Sequence, residues 1–245
     1  ELHVAGGILQ RPVPLVPCKT IPLDVPADAE IVIECIIRPK ERRSEAPFGE
    51  FPGTYGPERM NPVLEIKAIT HRKNPIYQNA FVGHPDNLLL SGVIRSTAIE
   101  ETVKIACGTV TGVHMPRSGR FRFVCYVAIN RKIEGEAKAA AMAAFVTDPF
   151  LKFCVVVDHD VDITSDTEVM HAIATRVRAD RDTFMVTYAK GSPLDPASYD
   201  PEGGSHLVTK MGIDATRKDN YPAEIHVPGN EDIVLEDFID GYTKA

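Results

Sequence analysis

The 245-residue sequence contains no tryptophan and no apolar run that approaches the roughly 18 residues needed to span a bilayer. It has five cysteines, an odd number, and no Cys-x-x-Cys pair. At least three of them lie inside apolar runs, which is typical of buried free thiols. We therefore interpret them as reduced cysteines of a cytoplasmic protein. No signal peptide is recognisable, so we expect no membrane association.

Basic residues are also scarce. Lys and Arg number 27 against 34 Asp and Glu, which gives a net charge of −7 and a pI near 5.6. The densest basic runs, 38–43 and 71–73, are short. Because phosphate binding needs a concentrated basic face, this composition argues against a nucleic-acid partner or an anionic membrane surface. The length allows one large domain or two modest ones.

The first 80 residues read as strands and turns. Apolar residues on both faces of 29–37 predict a strand that is buried on both sides. Residues 63–70 alternate Leu64, Ile66 and Ala68 with charged residues, which predicts a half-exposed strand. Proline is dense in 12–26 and 47–62, so those stretches are expected to be ordered connections rather than helices.

A different pattern begins near residue 95. Strands are predicted at 121–129, 153–157 and 184–188, with helices between them, so 95–190 is expected to form a compact α/β unit. The segment 191–245, rich in Pro, Gly and Asp, is predicted to be a wrapping or mobile tail. Three helices are predicted. The first is capped by Thr97 and Glu100 and has an inward apolar stripe of Ile99, Val103 and Ala106, and the second lies at 134–145. The third is capped by Ser165 and Glu168, and its core-facing residues are Val169, Met170, Ile173, Ala174 and Val177.

Two carboxylates flank a short, stiff loop in the segment Glu45-Ala-Pro-Phe-Gly-Glu50. Paired acids on such a loop can hold two different pKa values and divide the roles of acid and base. The alternative is a solvated acidic loop, which is common at protein surfaces. The local pattern leaves both readings open.

The segment 45–50 resembles the E-G-P-F-G-E/D motif of the UbiD family of decarboxylases, which use prenylated FMN. Further stretches resemble other motifs of that family and occur in the family's order. Several motifs in register are far more specific than any one of them. The additional stretches are 25–34, 68–77, 156–162, 172–176 and 210–216.

The resemblance implies an α+β fold. Residues 1–85 would be the later strands of a split β-barrel cofactor domain, 86–110 a linker helix region, 111–225 an α/β carboxy-terminal oligomerisation domain and 226–245 a tail. Because the chain opens at Glu1 without an initiator Met, we expect it to be the carboxy-terminal portion of a longer protein, either clipped or encoded separately. The family's amino-terminal half holds most of the cofactor site.

The resemblance also implies roles for three acids. Glu50 would be the proton donor, and Glu45 would pair with an arginine of the missing half; Arg42 and Arg43 are interpreted as surface-loop residues instead. Glu1 would help to bind a divalent metal, Mn²⁺ or Mg²⁺, that bridges to the cofactor phosphate, with K⁺ as a further candidate ion. In this chain alone we expect Glu1 to hold no metal.

Two loops are candidates for a substrate pocket. Gly191–Pro196 resembles a family segment that approaches the active site, so Leu194 either lines a pocket or tethers a plain turn. The stretch 87–90 is a similar candidate. The run 203–206 is interpreted as a flexible loop and not as a phosphate-binding loop.

The implied reaction is the reversible, non-oxidative decarboxylation of an aromatic, heteroaromatic or α,β-unsaturated acid. A flavin prenyltransferase would supply the cofactor, and the protein would be a homo-oligomer. One alternative is a non-catalytic assembly subunit of a multi-subunit (de)carboxylase. Another is a metal-dependent hydrolase built on Asp158, His159 and Asp160, although the position of these residues after an apolar strand favours an acidic strand end.

Overall fold

The computed structural model describes residues 1–198 and 206–223, together with 225 and 229. The chain has a mixed α/β fold with open sheets. Residues 203–205 of the predicted loop 203–206 and, apart from Gly229, the predicted tail 226–245 lie outside the described residues. The helices are α1 (Leu2–Leu9), α2 (Pro85–Ala106), α3 (Glu136–Thr147) and α4 (Asp166–Arg176), and the strands are β1 (Leu15–Pro17), β2 (Asp24–Pro26), β3 (Ile31–Glu45), β4 (Arg59–His71), β5 (Val110–His114), β6 (Val124–Ile129), β7 (Phe153–Asp158), β8 (Thr183–Lys190) and β9 (Leu207–Ala215).

The amino-terminal part is dominated by a long antiparallel ribbon of β3 and β4. The prediction that 29–37 is buried on both sides is wrong, because Ile33 and Ile37 are each 56% exposed. In β4 apolar and charged residues alternate as predicted. The apolar residues Leu64 and Ile66, however, are the ones that are exposed. The ribbon has only two strands, and the apolar side chains of this face are exposed in the described part of the chain.

The opposite face of the ribbon is tied to β1 and β2 through Glu34, which is 2% exposed. Its carboxylate accepts hydrogen bonds from the backbone N–H groups of Lys19 and Thr20, both at 2.6 Å. The side-chain hydrogen bond from Thr20, followed by these backbone bonds, lowers the pKa of Glu34. The sequence also predicted only strands and turns here, whereas residues Leu2–Leu9 form α1.

The carboxy-terminal part is a five-stranded sheet in the order β5-β6-β7-β9-β8. Strands β6, β7 and β9 are parallel, and the two edge strands are antiparallel. Helices α2 and α3 pack on one face and α4 on the other, so the sheet lies between two apolar clusters. The prediction of a tail from residue 191 is wrong, since β9 is an inner strand of this sheet.

Helix α2 is longer than the sequence predicted. It begins at Pro85 with His84 as its N-cap, and Thr97 lies within it and donates to the carbonyl oxygen of Val93. The predicted start at Thr97 is therefore wrong. Of the predicted apolar stripe, Ile99 and Val103 are fully buried and Ala106 is exposed.

The start of α4 is confirmed, because the Ser165 hydroxyl accepts a hydrogen bond from the N–H of Glu168 at 3.3 Å. Val169 faces the core as predicted, whereas Met170 and Ala174 are exposed. All five cysteines are free, and the three at 107, 125 and 154 are buried, as expected. In the described part of the chain, no helix combines the length and the apolar character needed to cross a membrane.

Candidate active site

Glu45 and Glu50 bound a compact loop between β3 and β4. Glu45 is the last residue of β3 and lies opposite Arg59 of β4 in the strand register. The N–H of Glu50 donates to Thr54 O, and the N–H of Gly53 donates to Glu50 O, both at 2.9 Å. Gly53 has a φ of 88°, a conformation that favours glycine. These bonds fold 48–56 into a small closed turn that presents Glu50.

The two acids have different surroundings. Glu45 is exposed and its carboxylate accepts a hydrogen bond from the amide of Asn61. Glu50 is half-buried, and a Cβ built on Gly56 would lie 3.0 Å from its Cγ and 3.6 Å from its Oε1. Glu50 is therefore the more enclosed acid, and its side chain lies tightly against Gly56.

The arginines near the loop do not act as partners of these acids. The guanidinium groups of Arg42 and Arg43 bond to Glu41. Both are exposed, as predicted, but they lie on β3 and not in a loop. Ala46 is not among the residues with positive φ, which agrees with a side chain at the position where the related motif has glycine.

A cavity of 410 Å³ lies between this loop and the segment that carries Leu194. The structure thus brings together two segments that are more than 130 residues apart in the sequence. None of the lining residues is basic, and proline, leucine and tyrosine side chains make the surface largely apolar, with Thr54 and Asp195 as its polar side chains. Its lining consists of Pro47, Thr54, Tyr55, Gly56, Pro57, Pro193, Leu194, Asp195 and Pro196.

The segment that carries Leu194 forms one wall of the cavity and is held by side chains from two directions. From the ribbon, Arg59 Nη2 donates to the carbonyl oxygen of Pro193 at 2.8 Å. From the sheet side, Lys152 Nζ lies 2.9 Å from Oδ2 of Asp195, a residue that is only 3% exposed. Sequence reasoning missed these anchors, because no local pattern distinguishes them from surface charges.

The residue after Glu50 is held by the carboxy-terminal part of the chain. Phe51 is 7% exposed and clusters with Leu88 and Phe121. Its ring centroid lies 5.3 Å from that of Phe123. The stretch 87–90, predicted as a pocket loop, lies in the first two turns of α2. Leu88 packs against Phe51 and is not part of the cavity lining.

A guanidinium lies beside this cluster. Arg122 sits over the rings of Phe51 and Phe150, at 4.9 and 4.6 Å from their centroids. Burial, with the nearby positive charge of Arg95, lowers the pKa of Arg122 from its usual high value. Arg95 is itself paired with the buried Asp148, at 2.6 Å. Arg122 therefore bridges the loop and the sheet domain.

The described residues contain no group of three or more His, Cys, Asp or Glu side chains arranged to hold a metal. Glu1 is the exposed N-cap of α1. Asp158 accepts from Arg176 at 3.0 Å and from the N–H of Arg217 at 2.6 Å. Asp160 pairs with Arg217 at 2.7 Å. This acidic strand end is thus neutralised by arginines, which gives no support to a metal-dependent hydrolase.

The fold and site define a protein in which an antiparallel ribbon carries an acidic loop and a three-layer α/β domain completes its surroundings. Two family models match the chain, both described as 3-octaprenyl-4-hydroxybenzoate carboxy-lyase: the Rift-related domain over residues 1–85 and the C-terminal domain over residues 89–215. The chain belongs to the UbiD family.

Similar proteins carry decarboxylase names. Anhydromevalonate phosphate decarboxylase of Methanosarcina mazei is 38% identical over 229 residues, which is 92% of this chain and 53% of that protein. The 3,4-dihydroxybenzoic acid decarboxylase AroY of Klebsiella pneumoniae superposes with a TM-score of 0.79 at 30% identity, covering 97% of this chain and 53% of that one. This chain thus spans about half the length of the relatives it matches.

The UbiD-class enzyme HmfF of Pelotomaculum thermopropionicum, solved in complex with FMN, superposes with a TM-score of 0.85 at 42% identity, covering 97% of this chain and 53% of that one. An evolved dimeric form of HmfF in complex with prFMN gives a TM-score of 0.80 at 38% identity, covering 97% and 51%. The fold of the chain is therefore that of UbiD-class structures that bind flavins.

Proposed function

We propose that this chain is the carboxy-terminal portion of a prenylated-FMN-dependent decarboxylase in which Glu50 is the proton donor. The reaction would be the reversible, non-oxidative loss of CO₂ from an aromatic, heteroaromatic or α,β-unsaturated acid. The observation that carries the proposal is the placement of the Glu50 turn against the apolar cavity that Leu194 completes. Family membership and the decarboxylase names of the relatives support the reaction class.

The roles of the chain's own residues follow from their chemistry. When bound, prenylated FMN supplies the electron sink for the carbon that loses CO₂. Glu50, fixed at the turn and half-buried, holds the proton that this carbon must receive. The apolar cavity receives the hydrocarbon part of the acid. A cation that holds the substrate carboxylate is not part of the cavity lining, so we assign it, as the partner of Glu45, to the portion of the protein that precedes this chain.

The chain's own donor set does not fit a metal site by itself. We propose that Glu1 contributes one carboxylate to a Mn²⁺ or Mg²⁺ site, with K⁺ as a further candidate, whose other ligands come from elsewhere in the full-length protein. A flavin prenyltransferase as cofactor supplier and a homo-oligomeric assembly belong to the same proposal. The cytoplasmic location stays a prediction that rests on the cysteine content.

The division into parts is also proposed: 1–85 as the later strands of a split barrel, 86–110 as a linker helix region and 111–225 as the oligomerisation domain. The exposed apolar face of the ribbon supports the first assignment. Strand residues such as Ile33 and Leu64, 56% and 59% exposed, would be covered by further strands of a barrel.

The same exposed face also favours the alternative of a non-catalytic subunit that assembles with a larger partner. The two functions differ in what they require of the acids, because a structural subunit has no use for Glu50. We rank the decarboxylase first because the half-buried Glu50 lies against Gly56, which lines a cavity large enough for a small aromatic acid.

The deciding experiment is to co-express the full-length protein with a flavin prenyltransferase and to record its absorbance spectrum and native mass. The proposal expects a flavin-like band, a mass increment for prenylated FMN and a divalent ion, and CO₂ release from one or more acids of an aromatic and acrylic panel. A colourless protein of apo mass that binds a partner subunit would instead establish the assembly role.

A further inference from the structure

We propose that the segment Arg120-Phe-Arg-Phe123, in the carboxy-terminal part of the chain, is a positioning element that holds the Glu50 turn in place for proton delivery. The inference rests on the proposed function of Glu50. It concerns residues that the motif resemblance did not single out, and it follows from contacts between segments about 70 residues apart.

Arg120 makes the polar contacts of this element. Its Nε donates to the carbonyl oxygen of Pro52 at 3.1 Å, and its Nη1 donates to the carbonyl oxygen of Gly83 at 3.5 Å. A Cβ built on Gly53 would lie only 2.2 Å from Arg120 Nη2, so the guanidinium lies directly against the turn backbone. One side chain therefore fixes the turn and also the segment that leads into α2.

The side chains of the next three residues pack around Phe51, the neighbour of Glu50. Phe121 clusters with it, Arg122 lies over its ring at 4.9 Å, and the Phe123 ring lies beside it, tilted by 42°, at a centroid distance of 5.3 Å. On the far side, Gly92 of α2 leaves room for this arrangement, because a Cβ there would come within 2.9 Å of the Phe121 side chain. Three side chains of the segment thus surround Phe51, while Arg120 holds the residues that follow it.

The backbone shows that this arrangement is imposed by its surroundings. Arg120 and Phe121 have φ values of 57° and 55°, two consecutive left-handed residues without glycine. Such conformations cost on the order of 1–3 kcal/mol each and persist where the surrounding contacts over-determine them. The N–H of Phe121 donates to Pro116 O at 3.0 Å and that of Phe123 to Gly119 O at 2.9 Å, which holds the strained turn. This backbone conformation directs the side chains of Arg120 and Phe121 toward the turn that carries Glu50.

A test uses the full-length enzyme loaded with flavin. In Arg120→Gly the guanidinium is lost but the positive φ is retained without strain. Arg120→Lys keeps the charge but offers a single-point donor in place of the planar fork. Arg117→Ala is the matched control, since Arg117 is an exposed arginine three residues before Arg120. We would measure kcat, KM, flavin absorbance and hydrogen exchange by mass spectrometry for each variant.

We expect Arg120→Gly to lower kcat by roughly 10- to 100-fold, because a displaced reacting group loses its near-attack geometry. KM and flavin absorbance should stay near the wild-type values, amides in 48–56 should exchange faster, and α3 and β7 should be unchanged. Arg120→Lys should recover part of kcat, and Arg117→Ala should resemble the wild type.

Two results would overturn the inference: a wild-type kcat in Arg120→Gly, or faster exchange throughout the protein with KM and flavin binding lost together. Glu50→Gln, measured in the same series, separates the two proposals. If Glu50→Gln is inactive while Arg120→Gly is fully active, only the positioning role fails. If Glu50→Gln turns over normally, the proposed function of Glu50 fails, whatever Arg120 does.

Discussion

Arg120 Nε donates a hydrogen bond to the carbonyl oxygen of Pro52 at 3.1 Å, across 68 positions of sequence. Pro52 lies two residues after Glu50, so the placement of the candidate acid depends on the carboxy-terminal domain. The ribbon and the α/β domain therefore both hold the loop that carries Glu50. Substitutions on either side of this contact should change turnover.

The proposed proton donor gives the first prediction. Glu50→Gln in the full-length, flavin-loaded enzyme should lower turnover by at least about 10²-fold, because general acid catalysis contributes that much or more. The absorbance of the bound flavin should not change. Glu58→Gln is the matched control, since Glu58 is an exposed acid of the same loop, whereas Glu50 is half-buried against Gly56. CO₂ release by Glu50→Gln at the wild-type rate would contradict the assignment.

Gly56 tests the position of the acid without removing it. A methyl group at Gly56 would meet Glu50 Cγ at 3.0 Å, and because the φ of Gly56 is not in the left-handed region, alanine adds no backbone strain. We expect Gly56→Ala to lower kcat by roughly tenfold through displacement of the carboxyl. Gly108→Ala, where nothing lies within 4 Å, is the control. Equal kcat values for both variants would show that Glu50 tolerates displacement.

Leu194 should influence substrate choice. Leu194→Ala enlarges the 410 Å³ cavity, so kcat/KM for an acid that fills it should fall by roughly 10- to 200-fold, with bulkier acids favoured in relative terms. A panel of acids of increasing size measures this change. Ile105→Ala, at a position 88% exposed on α2, is the comparison variant. An unchanged ranking of the acids would mean that Leu194 only tethers its turn.

The ion pair of Lys152 and Asp195 should stabilise the cavity wall. Lys152→Met leaves a carboxylate that is 3% exposed without its counter-ion, and removal of one partner from such a pair costs about 3–5 kcal/mol. The double variant Lys152→Met/Asp195→Leu should be more stable than Lys152→Met alone. Thermal unfolding of the three proteins measures this. A single variant as stable as the wild type would show that water screens the pair.

Lys210 gives a pH-dependent prediction. It is 4% exposed and donates to the carbonyl oxygens of Pro149 and Leu151 at 2.8 and 2.6 Å. Burial lowers the pKa of its ammonium group from 10.5 to about 8. Between these two values the unfolded chain binds the proton and the folded chain does not, so the contribution of Lys210 to the unfolding free energy increases with pH, by on the order of 3 kcal/mol.

The measurement compares the wild type with Lys210→Met by denaturant unfolding at pH 7.5, 9 and 10.5. The stability difference, wild type minus variant, should rise across this series. Lys190→Met, at an exposed lysine that lines a surface groove together with Lys210, should show a constant difference. A flat difference for Lys210→Met would mean that the amine keeps an ordinary pKa in the folded protein.

Local patterns predicted the features that neighbouring residues determine. The Ser165 cap of α4, the strand at 153–157 and the buried cysteines follow from short-range periodicity and side-chain chemistry, and the structure confirms them. The length of α2 was misjudged because Thr97 resembles a cap in sequence, although its hydroxyl bonds to Val93 within a continuing helix.

By itself, the sequence determined the family and the pair of acids on a stiff loop, since motifs depend only on residue order. Tertiary structure alone decided that β9 enters the sheet between β7 and β8 despite its Lys210, Gly212 and Asp214. The parallel neighbour β7 and the antiparallel neighbour β8 supply backbone hydrogen bonds that the composition of β9 does not predict. It also decided that 120–123 reaches the Glu50 turn. Such contacts join distant segments, and their energies depend on packing that no local pattern encodes.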